Sequence, residues 1–323
     1  MLHCERYAPA IGDITPIPRT QVADALADPD VVLWVELTGP DEGELAWLTE
    51  TFRLHPLTAE DLRNQRQRPK LDQYDDYLFL ALRAPRYDPA ARELAVDELH
   101  LLLGDRYLLA VHQAPMPVLD TVRQRWRQTH PRGATAPFLF YLVLDGVVDG
   151  YFPIVDQIGD EIDDLDAEVF STARARTQQK ILALRRVLLA MRKVLGPTRD
   201  ALNELLTVVE RSPKQAALRA YYIDVFDHVL RLTDFIDTYR EMLSVSLEAM
   251  QSTLANQLNK NMQRLTVGAT VLATATVITG FFGMNLQGLL INSPWPYGGH
   301  ALLAVLAIIT VIEIWYFRRI GWL

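Results

Sequence analysis

Two apolar segments close together near the C-terminal end constrain this chain more than anything else in it. Residues 265–282 read LTVGATVLATATVITGFF with no charge, and residues 301–317 read ALLAVLAIITVIEIWYF with Glu313 as their single charge. Roughly 20 apolar residues cross a bilayer, within a range of about 17–25. Extending the first segment through Leu286 and starting the second near Trp295 makes both long enough. Two buried core helices are the competing reading, and the flanks argue against it. Lys260 and Arg264 precede the first segment and Arg318 and Arg319 follow the second, while the connection 287–300 has no Lys, Arg, Asp or Glu. The positive-inside rule then predicts a multi-pass protein of the cell (inner) membrane, with the connection outside and both termini cytoplasmic. Trp295, Tyr297, Trp315, Tyr316 and Trp322 fall where interfacial aromatics belong. The opening MLHCERY has no apolar core segment behind it, so it does not read as a signal peptide, and insertion is expected to come from the later segments.

Most of the chain must lie outside the bilayer, since 22% of its residues are charged. Net charge is −8, which speaks against nucleic acid as a partner, because phosphate binding needs a basic face. Cys4 is the only cysteine, which excludes a disulfide framework and any multi-thiolate zinc site. Residues 1–135 alternate β-rich and helical runs. Strands are expected at 31–36, 77–83, 93–103 and 107–112, and helices at 41–52 and 58–64, with Thr58 as N-cap of the latter. The expectation is an α/β domain with a partly antiparallel sheet. Residues 136–264 read as a helical stalk, with one helix over 136–170 and another over 173–207. A third starts at Ser212-Pro213. From Lys214 to Val267 there is no Pro or Gly. A helix running from Pro213 to about Phe282 is roughly 100 Å long and needs partners, which predicts an oligomer around a shared axis.

At 100° per residue, Asn259, Met262, Thr266, Ala269, Ala273, Gly280 and Met284 share one stripe, flanked by Thr276. The opposite stripe is Arg264, Val271, Ala275, Ile278 and Phe282. A pore-lining helix has such a small, weakly polar face, with its bulky face towards lipid or the second span; small-residue helix packing produces the same pattern. Glu98 and His100 share a strand face and His112 lies on the next strand, but a third ligand is missing and ordinary buried or surface histidines are the expectation. Residues 156–168 hold seven carboxylates, either a solvated face or a cation-attracting surface. No GxxxxGK[ST] loop is present. No enzyme activity and no cofactor are expected.

Gly283-Met284-Asn285, at the outer end of the first of two C-terminal spans and behind a long helix, resembles the signature of the CorA family of divalent-cation transporters. HPLTAEDLRNQRQRPK at 55–70 is similar to the family's cytoplasmic segment. Asn259, Met262, Leu265 and Thr266 resemble its inner pore mouth, and Arg318-Arg319 followed by Trp322-Leu323 its basic tail. The resemblance covers nearly the whole chain. It implies a homopentamer with a cytosolic funnel, a selectivity filter at Gly283, Met284 and Asn285, and uptake of Mg²⁺ and Co²⁺. It also implies regulation by internal Mg²⁺ bridging Asp61 and Asp224 between neighbouring subunits, with Glu60 and Asp227 as secondary candidates. Amide oxygens suit this cargo, because Mg²⁺ gives up water reluctantly and conduction needs weak sites. An inside-negative potential supplies about 4.6 kcal/mol per 100 mV for a double charge.

Three departures stand out. Thr274 occupies a position where magnesium members often have Pro, Ala273 one where they often have a bulkier residue, and Leu286-Gln287-Gly288-Leu289-Leu290 has no acid. Uncharged outer loops also occur in the ZntB zinc-transporting branch, so a Zn²⁺ transporter, with proton coupling, is the alternative. An alternative from another class is a membrane-anchored scaffold. Glu313 is expected to pair with Arg318, Lys260 or Arg264; a proton-coupling role is the sharper reading.

Overall fold

The computed structural model describes residues 1–8, 13–64, 67–128, 135–171, 175–211, 216–284 and 298–322. The chain divides into two compact units. One comprises Met1–Glu168 with Arg174–Val245, the other Val169–Ala173 with Ser246–Leu323.

The first unit is built on a seven-stranded sheet: β1 (Leu2–Ala8), β2 (Asp13–Pro16), β3 (Val32–Thr38), β4 (Lys70–Gln73), β5 (Tyr77–Asp88), β6 (Glu93–Gly104) and β7 (Tyr107–His112). Their order across the sheet is β2-β1-β3-β7-β6-β5-β4. β3 and β7 run parallel, and the other neighbours antiparallel. The four expected strands are β3, β5, β6 and β7. β7 and the first half of β5 are buried on both faces, which is why they read as continuous apolar runs rather than as alternation. β1 carries Glu5, a buried carboxylate, so its pattern does not announce a strand.

Helices cover both faces. α1 (Val22–Ala27), α2 (Glu42–Thr51) and α3 (Pro56–Asn64) contribute Val22, Leu45, Leu48 and Leu62 to a core with Leu33, Val35, Leu37, Phe79 and Leu109. α2 starts on a capping box: Asp41 accepts from the Glu44 backbone at 2.7 Å, and Glu44 accepts from the Asp41 backbone at 3.2 Å. α3 begins before the expected Thr58. Pro56 is its first residue, the position at which a missing N–H costs nothing, and Thr58 lies buried inside it, hydrogen-bonded to Tyr77 Oη at 2.8 Å. On the opposite face, α4 (Pro117–Gln128) packs on α5 (Ala136–Asp149), which lies against β3, β5, β6 and β7.

The single helix expected over 136–170 is two. α5 ends at Asp149 and α6 (Phe152–Ser171) follows Gly150-Tyr151. Pro153 has no N–H to return to the Asp149 carbonyl, and Tyr151 turns back onto Val148 instead. α7 (Ala175–Arg211) runs through Pro197 without ending.

α8 spans Arg219–Gly283 as one helix of 65 residues, preceded by the short turn Ala216–Leu218. The expected start at Ser212-Pro213 lies outside the described residues. The C-terminal part of α8 and α9 (Gly298–Arg319) form the helical body of the second unit. Residues 136–166 are also apolar and long enough to cross a membrane, but 61% of their most apolar window is buried, as in a soluble core. In α8 that share is 6%. Leu265, Leu272 and Val277 of α8 and Leu303, Ile308, Val311 and Trp315 of α9 are exposed. Such an apolar exterior needs a lipid solvent or further protein.

Candidate functional site

The small-residue face of α8 is open. Asn259, Met262, Thr266, Ala269, Ala273, Thr276, Gly280 and Met284 are all exposed or half-exposed in the single chain. The Thr266 and Thr276 hydroxyls donate to the carbonyls of Met262 and Leu272, at 2.9 and 2.7 Å. Less exposed positions fall about a third of a turn away. Val267 is buried, and Thr270, Val271, Thr274 and Ile278 are half-buried. The bulky Val271 and Ile278 therefore sit on the covered side. Gly283 closes α8, and the Met284 backbone N–H bonds Phe281 O at 3.3 Å. Asn285 and the rest of the outer connection up to Tyr297 lie outside the described residues.

Glu313 corrects an expectation. Its Oε1 accepts from Thr274 Oγ1 at 2.6 Å, and among the described residues no ion pair joins it to Arg318, Lys260 or Arg264. Five residues at 100° each put Arg318 about 140° round α9 from Glu313, and Arg319 lies instead over the Trp315 ring at 5.3 Å.

In the first unit, Asp61 on α3 accepts from Lys70 Nζ and Gln67 Nε2, each at 2.7 Å. Lys70 also bonds Asp72 at 2.7 Å. Burial alone lowers the Lys70 pKa, but the two carboxylates outweigh it and raise it. Glu60 is exposed beside Asp61, and Asp227 is exposed on α8.

Asp224 converges with two residues that the sequence did not single out. Donor atoms of Asp145, Asp224 and His228 lie within 4.8 Å of one another. Asp224 and His228 are one turn apart on α8, with His228 Nε2 3.9 Å from Asp224 Oδ1. Asp145, buried on α5, also accepts from Arg125 at 2.9 Å. His228 Nδ1 lies 3.3 Å from Asp149 Oδ1, near but not aligned as a hydrogen bond, and the Phe152 ring meets the imidazole edge-on at 5.4 Å. Burial, and then the neighbouring Asp145, push the Asp149 carboxyl above its ordinary range. Two carboxylates and an imidazole fit a divalent cation, which must compete with Arg125 for Asp145. The two oxygens suit Mg²⁺, and the nitrogen favours Co²⁺ or Zn²⁺. Two signals pointed here: the Asp-xxx-His spacing, and a lone carboxylate in the apolar run FLFYLVLD. Among the described residues no hydrogen bond or ion pair joins Asp61 to Asp224.

Of the histidines on the sheet, His100 and His112 are interior, while His3 on β1 is exposed. His100 is buried with Nε2 3.7 Å from Glu98, while His112 bonds Glu36 at 3.1 Å and Ala114 O at 2.7 Å. Glu36 and Glu5 share Arg123, which lies over Trp34. Of the acidic run, Glu161 holds Arg92 at 2.7 Å and Tyr87 at 3.0 Å, and Glu168 holds Lys180 at 2.6 Å. Asp156, Asp163 and Asp164 are exposed.

The sequence model described as "CorA-like Mg2+ transporter protein" matches residues 29–319. This chain belongs to that family. The cobalt/magnesium transport protein CorA of Thermotoga maritima is 32% identical to it over 299 residues, covering 92% of this chain and 85% of that one. The zinc transport protein ZntB of Cronobacter sakazakii is 24% identical over 301 residues, covering 93% and 90%. The solved structure of the CorA magnesium transporter from Methanocaldococcus jannaschii has the same fold, with a TM-score of 0.82 at 21% identity, covering 100% of this chain and 99% of that one. As a CorA-family chain it is a transporter of divalent metal cations, and its α/β sheet and long helices are those of the CorA fold. The family contains both magnesium and zinc members.

Proposed function

We propose that this chain assembles as a homopentamer in the cell membrane and conducts Mg²⁺, with Co²⁺, into the cell down the membrane potential. The observation that carries the reading is the open small-residue face of α8 leading to Gly283-Met284. Placed around a shared axis, that face lines a path, and Asn285 rings its outer mouth. In this reading α8 and α9 span the bilayer and both termini are cytoplasmic. Cations inside the cell bind at Asp224 with Asp145 and His228, and Asp61 of a neighbouring copy completes closure. A proteoliposome assay tests this by comparing Mg²⁺, Co²⁺ and Zn²⁺ flux with and without a pH gradient. Potential-driven Mg²⁺ flux is expected, and its loss in Asn285→Ala with assembly intact. Normal flux in that variant refutes the ring.

The zinc reading is supported by the imidazole in the cytoplasmic cluster and by the uncharged segment 286–290. Zn²⁺ flux that exceeds Mg²⁺ flux and needs a pH gradient would decide for it.

A further inference from the structure

The hydroxyl of Thr274 behaves differently from those around it. Thr266, Thr270, Thr276 and Thr279 each donate to a carbonyl four residues back on α8, to Met262, Thr266, Leu272 and Ala275. Thr274 instead donates across to Glu313 on α9, at 2.6 Å and 39 residues away in sequence. Glu313 Oε2 is buried with no hydrogen-bond partner among the described residues. A threonine in a helix has an acceptor on its own backbone at no cost, so leaving it implies that the crossing bond is the better one. Little water competes for either group within an apolar span.

The position of this bond matters. Thr274 lies on the covered side of α8, with Val267 buried and Thr270, Val271 and Ile278 half-buried. It is about 110° round the helix from the centre of the small-residue stripe and about 14 Å before Gly283. A contact that fixes the rotation of α8 here also fixes which residues face the path.

We propose that Thr274 and Glu313 form an interhelical clasp that sets the rotation of the pore-lining part of α8 against α9. Glu313 is then a positioning residue that acts through its acceptor oxygen and not through its charge. The charged groups of the two helices agree with this: Lys260, Arg264, Arg318 and Arg319 make no ion pair with it among the described residues. The effect on flux rests on the transport reading, whereas the clasp itself does not.

The test uses the full chain in liposomes. Thr274→Val and Glu313→Leu remove donor and acceptor; Thr274→Ser and Glu313→Gln keep them. Thr274→Val and Glu313→Leu are each expected to lower Mg²⁺ flux about threefold or more, the average size of an intramembrane hydrogen bond. Each is also expected to change the ratio of Mg²⁺ to Co²⁺ flux, with the double variant no worse than either. Thr274→Ser and Glu313→Gln should retain both flux and ratio. Glu313→Gln as impaired as Glu313→Leu overturns the proposal, because charge is then the active property; additive effects in the double variant overturn it too. Thermal unfolding of the intact protein in detergent should show the same non-additivity whether or not metal moves. Absence of metal flux in the unaltered protein refutes the transport reading, while additivity in unfolding refutes the clasp.

Discussion

His100 and His228 show how differently one side chain is used within the same unit. Burial drives the His100 pKa from 6.5 to about 4, against the pull of Asp61. The unfolded imidazole takes up a proton as the pH falls below 6.5, and the folded one only near pH 4. Stability is therefore fully present above pH 6.5 and falls as pH drops through that window. The loss is about 3 kcal/mol, since each tenfold change in proton affinity is worth about 1.4 kcal/mol. His100→Leu should remove this loss, read as hydrogen-exchange protection of β6 amides from pH 7 to 4. A slope should remain below pH 4.5. Burial raises the Glu36 carboxyl, but His112 and Arg123 outweigh it and hold the carboxyl low, so its contribution is lost only on acidification. His228, half-buried beside Asp224, is placed to bind metal. Since imidazole suits Co²⁺ better than Mg²⁺, His228→Ala should raise the Co²⁺ concentration needed for thermal stabilisation by about tenfold or more and that for Mg²⁺ by less. An equal shift for both metals removes the imidazole from the site.

At the scale of the element, α8 is two surfaces wound on one axis. Its small-residue stripe is open, Val271 and Ile278 lie on its covered side, and in the proposed reading the path runs along the open stripe. Each added 1.4 kcal/mol of barrier is about a tenfold loss of rate. Ala273→Leu, which fills the open stripe, is expected to cut flux by about tenfold or more, while Leu272→Met, on a neighbouring exposed face, leaves it nearly unchanged. Equal effects in a liposome flux assay would show that the stripe is not the path. The break between α5 and α6 has its own consequence: α5 ends at Asp149, so Asp145 and Asp149 lie in its last turn and a half, within reach of His228.

At the scale of the whole molecule, the proposed regulation requires carboxylates on separate elements to be drawn together. Asp61 is neutralised within the chain by Lys70 at 2.7 Å, and Asp224 faces His228. A cation shared with a neighbouring copy offsets repulsion between such groups and favours the closed arrangement. Asp61→Asn with Asp224→Asn should therefore raise flux at millimolar internal Mg²⁺ and abolish Mg²⁺ protection of the first unit from protease. If the double variant responds to internal Mg²⁺ like the unaltered chain, sensing belongs elsewhere, and the acidic run 156–168 becomes the next candidate.

The sequence alone determined whatever depends on one element and its solvent. Apolar length marked the C-terminal part of α8 and α9, continuous apolar runs marked β5, β6 and β7, and the 3.6 period separated the two faces of α8. It also carried the GMN signature, because a family motif is local in the chain. The edge strands β2 and β4 and the inner strand β1 were not legible: β2 and β4 are only four residues each, and β1 carries a glutamate whose burial makes sense only with Arg123 and Arg127 beside it. The convergence of Asp145 with Asp224 and His228, and the crossing of Thr274 to Glu313, were decided only by the tertiary structure. Periodicity records which way a side chain points from its own helix, and pairing is set by which helices pack and at what rotation. That is a property of the assembled core and of no single segment.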